Sequence, residues 1–217
     1  MLVRKGNVEI SVGKAVGHII EDILISSKKR LWVVSPWLSP KYAEFLIKKK
    51  ESGVDVKLIT TNDIDNVAHK DSLKILIERK NEPFIENQRL AILISLIILV
   101  IGILTALKYI GFILIFIGFA LLLASLLKKE KFEAKIPITI LDKSSDFTHS
   151  KIYIIDNNVG IVGSANLTDS GFWKNIETAV VMKDKKLVEE LERIYKLLEE
   201  HPLKKMVSVE EIGKKIY

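Results

Sequence analysis

Residues 149–166 read HSKIYIIDNNVGIVGSAN and contain six residue types whose spacing suits chemistry at phosphorus: His149, Lys151, Asp156, Gly163, Ser164 and Asn166. On an extended strand, positions two apart share a face, so His149 and Lys151 can project together into one cleft. Ser164 and Asn166 share a face in the same way at the end of a following strand. An imidazole can attack phosphorus, an ammonium can hold its non-bridging oxygens, and hydroxyl and amide groups can donate to them. A lone His-x-Lys at a strand end is commonly surface decoration. Six fixed types over eighteen positions are much harder to assemble by accident.

Elements that would position these residues can be read on both sides of the motif. Lys151 to Asp156 and Val159 to Gly163 are apolar runs separated by Asn157-Asn158, a strand pair across a turn. Upstream, Val8 to Val12 alternates as a strand, and Lys14 to Ser26 carries a helical stripe of Ala15, Ile19, Ile20, Ile23 and Leu24. Leu31 to Ser35 is a buried strand, a helix runs from Pro40 to about Ser52 with Gly53 closing it, and Val54 to Thr60 is the next strand. Asp71 to Lys80 reads as a helix leading into the apolar segment below. Ile136 to Leu141 and Ile176 to Met182 are strands, Lys185 to Glu200 is a helix, and Val207 to Ile216 adds a short one. The expected class is α/β: a mixed β-sheet layered with helices.

One apolar stretch interrupts this pattern. Leu90 to Leu107 and Ile110 to Leu127 are each eighteen uncharged residues, separated only by Lys108-Tyr109. Each meets the shorter end of the length that crosses a hydrocarbon core. In lipid a helix satisfies its own backbone and a loop does not, so a two-helix transmembrane hairpin is expected. Arg79, Lys80 and Arg89 precede it and Lys128, Lys129 and Lys131 follow it, which places both ends and the globular part on the cytoplasmic side of the cell membrane. The domain plan is residues 1–87, a hairpin over 88–129, and residues 130–217 carrying the motif. A re-entrant hairpin or an oligomer contact is the alternative use of the apolar runs.

The 217 residues carry a net charge of +6 and 28% charged residues, while the mean hydropathy of +0.24 comes largely from the apolar stretch. There are no cysteines, which excludes disulfides, thiolate catalysis and cysteine zinc sites. The four histidines, His18, His69, His149 and His201, are too few for a histidine-rich metal cluster. No metal or other cofactor is expected. No cleavable signal peptide is visible. Abundant Lys, Glu and Ile with a single Gln, Gln88, lean towards a thermophile.

The spacing of the motif resembles the HKD signature of the phospholipase D superfamily. The stretches Leu31-Trp-Val-Val-Ser-Pro-Trp-Leu, Ala43 to Lys49 and Gly53 to Thr60 look like the first half of that family's domain, and Asn175-Ile-Glu177 matches its acidic partner position. The resemblance implies a phospholipase D-like fold and a phosphodiesterase in which His149 attacks phosphorus and forms a phosphohistidine. Lys151 and Asn166 would bind phosphate oxygens with Ser164 in support, Glu177 would hydrogen-bond the far nitrogen of His149, and Asp156 and Gly163 would be structural. Family members use two such motifs, one histidine attacking and the other protonating the leaving oxygen. This chain has one, since His69 and His201 lack the surrounding residues, so a homodimer sharing one active site is implied. Small one-motif bacterial endonucleases and Zucchini-type endonucleases are built this way. Where those relatives have an anchor it is N-terminal, whereas here a hairpin interrupts the domain.

Nucleic acid is the expected substrate, with Lys28-Lys29-Arg30 and Lys48-Lys49-Lys50 as a candidate basic rim, although a solvated helix face explains Lys48 to Lys50 equally well. No interleaved aromatics for base stacking are visible. The alternatives are a phospholipase or phosphatidyltransferase acting on membrane phospholipid, and a non-catalytic membrane scaffold, which the intact motif disfavours.

Overall fold

The computed structural model describes residues 1–14, 16–105, 109–144, 149–200 and 205–217. Ala15, Leu107, Lys108 and His201, named above, lie outside the described residues. In chain order the elements are β1 (Leu2–Lys5), β2 (Val8–Gly13), α1 (Val16–Ile25), β3 (Arg30–Val34), α2 (Pro40–Glu51), β4 (Asp55–Thr61), α3 (Val67–Leu76), β5 (Ile77–Pro83), α4 (Gln88–Leu104) and α5 (Tyr109–Leu126). Then follow β6 (Lys128–Ala134), β7 (Ile138–Leu141), β8 (Lys151–Ile155), β9 (Val159–Gly163), α6 (Asp169–Trp173), β10 (Glu177–Met182), α7 (Lys185–Glu200), β11 (Met206–Val207) and α8 (Val209–Ile216). They form two compact units, one of residues 1–78 with 133–217 and one of residues 79–132.

The first unit is built on a nine-stranded mixed sheet in the order β1-β2-β10-β9-β8-β3-β4-β7-β11. Pairing is antiparallel from β1 to β3, parallel through β3, β4 and β7, and antiparallel again to β11. Strand alternation divides the apolar residues between two faces. On one face Leu31, Val33, Tyr153, Ile161 and Ala179 pack with Ile20 and Leu24 of α1, Tyr42 and Leu46 of α2, and Phe172 of α6. On the other, Trp32, Val34, Ile152 and Ile154 pack under Val188, Leu191 and Tyr195 of α7. This is the expected α/β arrangement, with the sheet layered between helices.

The second unit departs from the expected plan at its base. The helix expected over Asp71 to Lys80 ends at Leu76, and Ile77–Pro83 is strand β5, paired with β6. The charges in these segments match across the pair: Arg79 with Glu130, and Lys131 with Glu82 at 3.0 Å. The strand partner lies some fifty residues away in sequence, so local helical periodicity misleads there. The unit thus begins before residue 88 and ends after residue 129.

Helices α4 and α5 pack on their smallest residues. The buried positions are Ala91, Ser95 and Gly102 on α4 and Gly111, Gly118 and Ser125 on α5, whereas Leu93, Ile97, Phe112 and Phe116 are exposed. A Cβ on Gly102 would lie 2.8 Å from Ile115 N, and one on Gly118 would lie 2.8 Å from Leu99 Cγ. Of the two eighteen-residue spans expected, one has a counterpart of that length among the described residues. Among the described residues only α5, with 18 residues and mean hydropathy 2.6, is long and apolar enough to cross a membrane by length and composition. Helix α4 has 17 residues and spends two of them on Gln88 and Arg89.

Candidate active site

The register aligns the start of β8, the end of β9 and the start of β10 at one end of the sheet. Lys151 pairs with Gly163, and Gly163 with Ala179. His149, Lys151, Ser164, Asn166 and Glu177 therefore come to the same sheet end from segments up to 28 residues apart. Gly163 permits the close approach of β9 to β10, since a Cβ there would lie 2.4 Å from Thr178 O.

Lys151 is 2% exposed, and its Nζ donates to His149 O at 2.7 Å. Burial lowers its pKa below the ordinary lysine value, with the Glu177 charge opposing that shift. Glu177 is also buried and accepts from Ser164 Oγ and, at 3.1 Å, from Asn175 Nδ2. Ser164 Oγ in turn accepts from Thr178 N at 3.0 Å, which fixes the hydroxyl so that it donates to the carboxylate. Asn166 Oδ1 is buried without a hydrogen-bond partner among the described residues. The His149 side of the cluster is exposed.

The loop after β9 is tied to the loop after β3. Tyr153 Oη donates to Ala165 O at 2.7 Å, Leu167 N donates to Ser35 Oγ at 2.9 Å, and Ser39 N donates to Leu167 O at 3.1 Å. These bonds bring Trp37 to the site, its ring centroid 6.0 Å from that of His149 at 80°. Trp37 Nε1 donates to Asp63 Oδ2 at 2.9 Å, and Lys143 Nζ binds Asp63 Oδ1 at 2.8 Å. Partial burial of Asp63 pulls its pKa up but is outweighed by the bonds from Lys143 and Trp37, so the carboxyl lies below the ordinary range. The sequence places Trp37 in a stretch with family resemblance but gives it no role; its position just past the end of a buried strand, after Ser35-Pro36, is the available signal.

Asp156 lies at the other end of β8 and does structural work. Its carboxylate accepts from the backbone N–H groups of Lys28 at 3.0 Å, Lys29 at 2.6 Å and Arg30 at 2.9 Å. Burial pulls its pKa up, but the Arg30, Lys29 and Lys28 amides outweigh this and hold it below the ordinary range. Asp156→Ala is expected to destabilise the fold by about 2–4 kcal/mol, because charge-assisted bonds are lost and three amides are left without their acceptor. The group's contribution is fully present above the unfolded carboxyl pKa of about 3.9. It is lost as pH falls through the lower folded value. Unfolding midpoints measured against pH should fall less steeply on the acid side in Asp156→Asn than in the wild type.

The same bonds correct the basic rim. Lys28, Lys29 and Arg30 gather around Asp156, the length of β8 from Lys151, on the order of 15 Å away. Lys48 to Lys50 lie in the last turn of α2, and Lys49 Nζ binds Ile25 O and Ser27 O. Both clusters belong to the far end of the sheet, and Lys151 is the cation inside the cluster at the near end. His69 is a satisfied core histidine: Leu38 N donates to its Nδ1 at 3.2 Å, and its Nε2 donates to Thr61 O at 2.8 Å. Burial lowers its pKa, with the bond to Thr61 and the Asp63 charge opposing, so the ring is neutral.

The family described as cardiolipin synthase, PLD-like domain, matches residues 118–198, which include the whole motif. A phospholipase D family member, Nuc from Salmonella typhimurium, superposes with a TM-score of 0.54 at 17% identity, over 92% of this chain and 98% of that one. The chain has a phospholipase D-like fold. NucT from Helicobacter pylori is similar over 88% of this chain and 94% of its own, with a TM-score of 0.50 at 15% identity. No curated protein matches the sequence. In this phospholipase D-like fold the motif spans β8, the turn after it and β9, and Glu177 opens β10.

Proposed function

We propose that this chain is a membrane-anchored, metal-independent phosphodiesterase that cleaves nucleic-acid phosphodiester bonds through a phosphohistidine, working as a homodimer. The observation that carries it is the cluster of Lys151, Ser164, Asn166 and Glu177 gathered at one sheet end beside an exposed His149. The Nε2 of His149 attacks phosphorus while Lys151 and Asn166 hold the non-bridging oxygens, with Ser164 in support through its bond to Glu177. The P–O bond to the leaving oxygen breaks, and that oxygen takes a proton from the corresponding histidine of the second copy. Water then gives a proton to that same histidine and displaces the phosphoryl group from His149, restoring both rings. Glu177 holds the imidazole tautomer in this scheme.

The dimer is inferred from the chemistry. Two histidines are needed, His69 is committed to the core, and the likeness to Nuc extends over nearly the full length of both chains with one motif here. The anchor is the α4–α5 hairpin. A soluble hairpin would bury its large apolar residues, whereas this one buries Gly, Ala and Ser and exposes Leu, Ile and Phe, as packing in lipid favours. Basic residues at both ends favour a cytoplasmic catalytic unit.

The detergent-solubilised protein should cut single-stranded DNA or RNA in EDTA and leave radiolabelled phospholipid intact. Lipid turnover without nucleic-acid cleavage would replace the nuclease reading with a lipid phosphodiesterase. Loss of all activity in EDTA would remove the metal-independent scheme.

A further inference from the structure

A cleft of about 290 Å³ opens beside the site, with Trp37, Leu38, Asn66, Asn166, Ser170 and Asn175 among its nine lining residues. None of the nine is charged, and six are Asn, Ser or Thr. Acyl chains would be poorly served by such walls, and a cationic or zwitterionic headgroup would meet no counter-charge. The lining is held in place from behind. Asn66 Oδ1 accepts from His69 N at 3.1 Å, Thr168 Oγ1 accepts from Gly171 N at 3.0 Å, and Asn175 Nδ2 donates to Glu177 at 3.1 Å. Asn166 contributes a buried carbonyl oxygen with no donor among the described residues, which a donor on a bound group would satisfy.

Trp37 is the flat element of this cleft. Its indole N–H is committed to Asp63, and Asp63 is held by Lys143, so the ring is locked in orientation. Its centroid lies 6.0 Å from that of His149. A phosphorus within the roughly 3–3.5 Å attack distance of the imidazole carries its ester substituents into the range of the indole. A rigid aromatic face, neutral hydrogen-bonding walls and room for one flat polar group together match a nucleoside.

We propose that this cleft is a nucleoside subsite in which Trp37 stacks on the base next to the scissile phosphate. The inference rests on the nuclease reading above and adds the residue that recognises the substrate beyond its phosphate.

The test uses a dinucleoside monophosphate and two analogues, each lacking one of the two bases. Wild-type kcat/KM should fall by about 5- to 150-fold for one analogue, the range for loss of one base–aromatic stack. Trp37→Ala should lose the same factor on the intact substrate and nothing further on that analogue, and Trp37→Phe should restore most of it. Equal losses on all three substrates would make Trp37 a support for His149 and overturn the subsite, as would a wild type indifferent to both bases. If the wild type cleaves none of the three, the nuclease reading has failed, and titration of tryptophan fluorescence with the intact compound judges the cleft separately. Quenching that disappears in Trp37→Phe supports the subsite; its absence in the wild type, or its persistence in Trp37→Phe, removes it.

Discussion

Replacing His149 by alanine is expected to lower kcat for phosphodiester cleavage by about 10⁴-fold or more, because the group that forms the covalent bond is gone and the oxygen-binding groups alone retain little rate. The variant should keep its fold. His149 lies outside β8 and is exposed, and its backbone carbonyl, which takes the Lys151 amine, is unchanged by the substitution. Mixing gives the sharper result. When wild-type and His149→Ala chains are unfolded, combined in equal amounts and reassembled, random pairing leaves about a quarter of the dimers with two intact histidines. Activity should fall to about that fraction of an all-wild-type sample, measured as initial rate per total protein. A value of one half would mean that each chain works alone, and the shared site would be wrong.

The second large effect is at Lys151. Lys151→Met should cost about 10²–10³ in kcat, the usual result of removing one donor aimed at charge that develops in the transition state. The pH dependence supplies a check that simple loss of packing would not. Burial depresses the Lys151 pKa, with Glu177 opposing, so the ammonium deprotonates at lower pH than an exposed lysine does. Rate should accordingly decline on the alkaline side before pH reaches the ordinary lysine value of about 10.4. In Lys151→Arg the guanidinium stays charged, and this limb should disappear even if the overall rate is reduced. An alkaline limb that survives the arginine change would assign the titration to another group. Depression of the pKa also means that the unfolded chain binds the proton more tightly than the folded one. The charged lysine thus costs the fold stability at neutral pH, and that cost declines as pH rises.

Much of the fold was legible because the information is local. The β8–β9 pair followed from two apolar runs around Asn157-Asn158, where Asp156 and Asn157 adopt positive φ angles of 50° and 61°. Helix α7 matched its expected bounds because its buried residues Val188, Leu191 and Tyr195 recur at helical spacing. By contrast, β5 and β6 are charged and lack an apolar pattern, and they become strands by pairing with each other across the apolar helices. Strands β1 and β11 escaped for a similar reason: the first is exposed along its length and the second has two residues.

By itself the sequence determined which residue types, at 149, 151, 164, 166 and 177, are on offer for chemistry, and where the long apolar segments lie. Tertiary structure alone decided which residues share the site. It moved the Lys28–Arg30 cluster to the far end by tying those amides to a carboxylate 126 to 128 positions away. It brought Trp37 against His149 across 112 positions through the bonds between two loops. The physical reason is that hydrogen bonds and ring contacts depend on distance in space. Sequence periodicity reports only the face a residue presents within its own element, and the neighbour on that face is chosen by strand order and register.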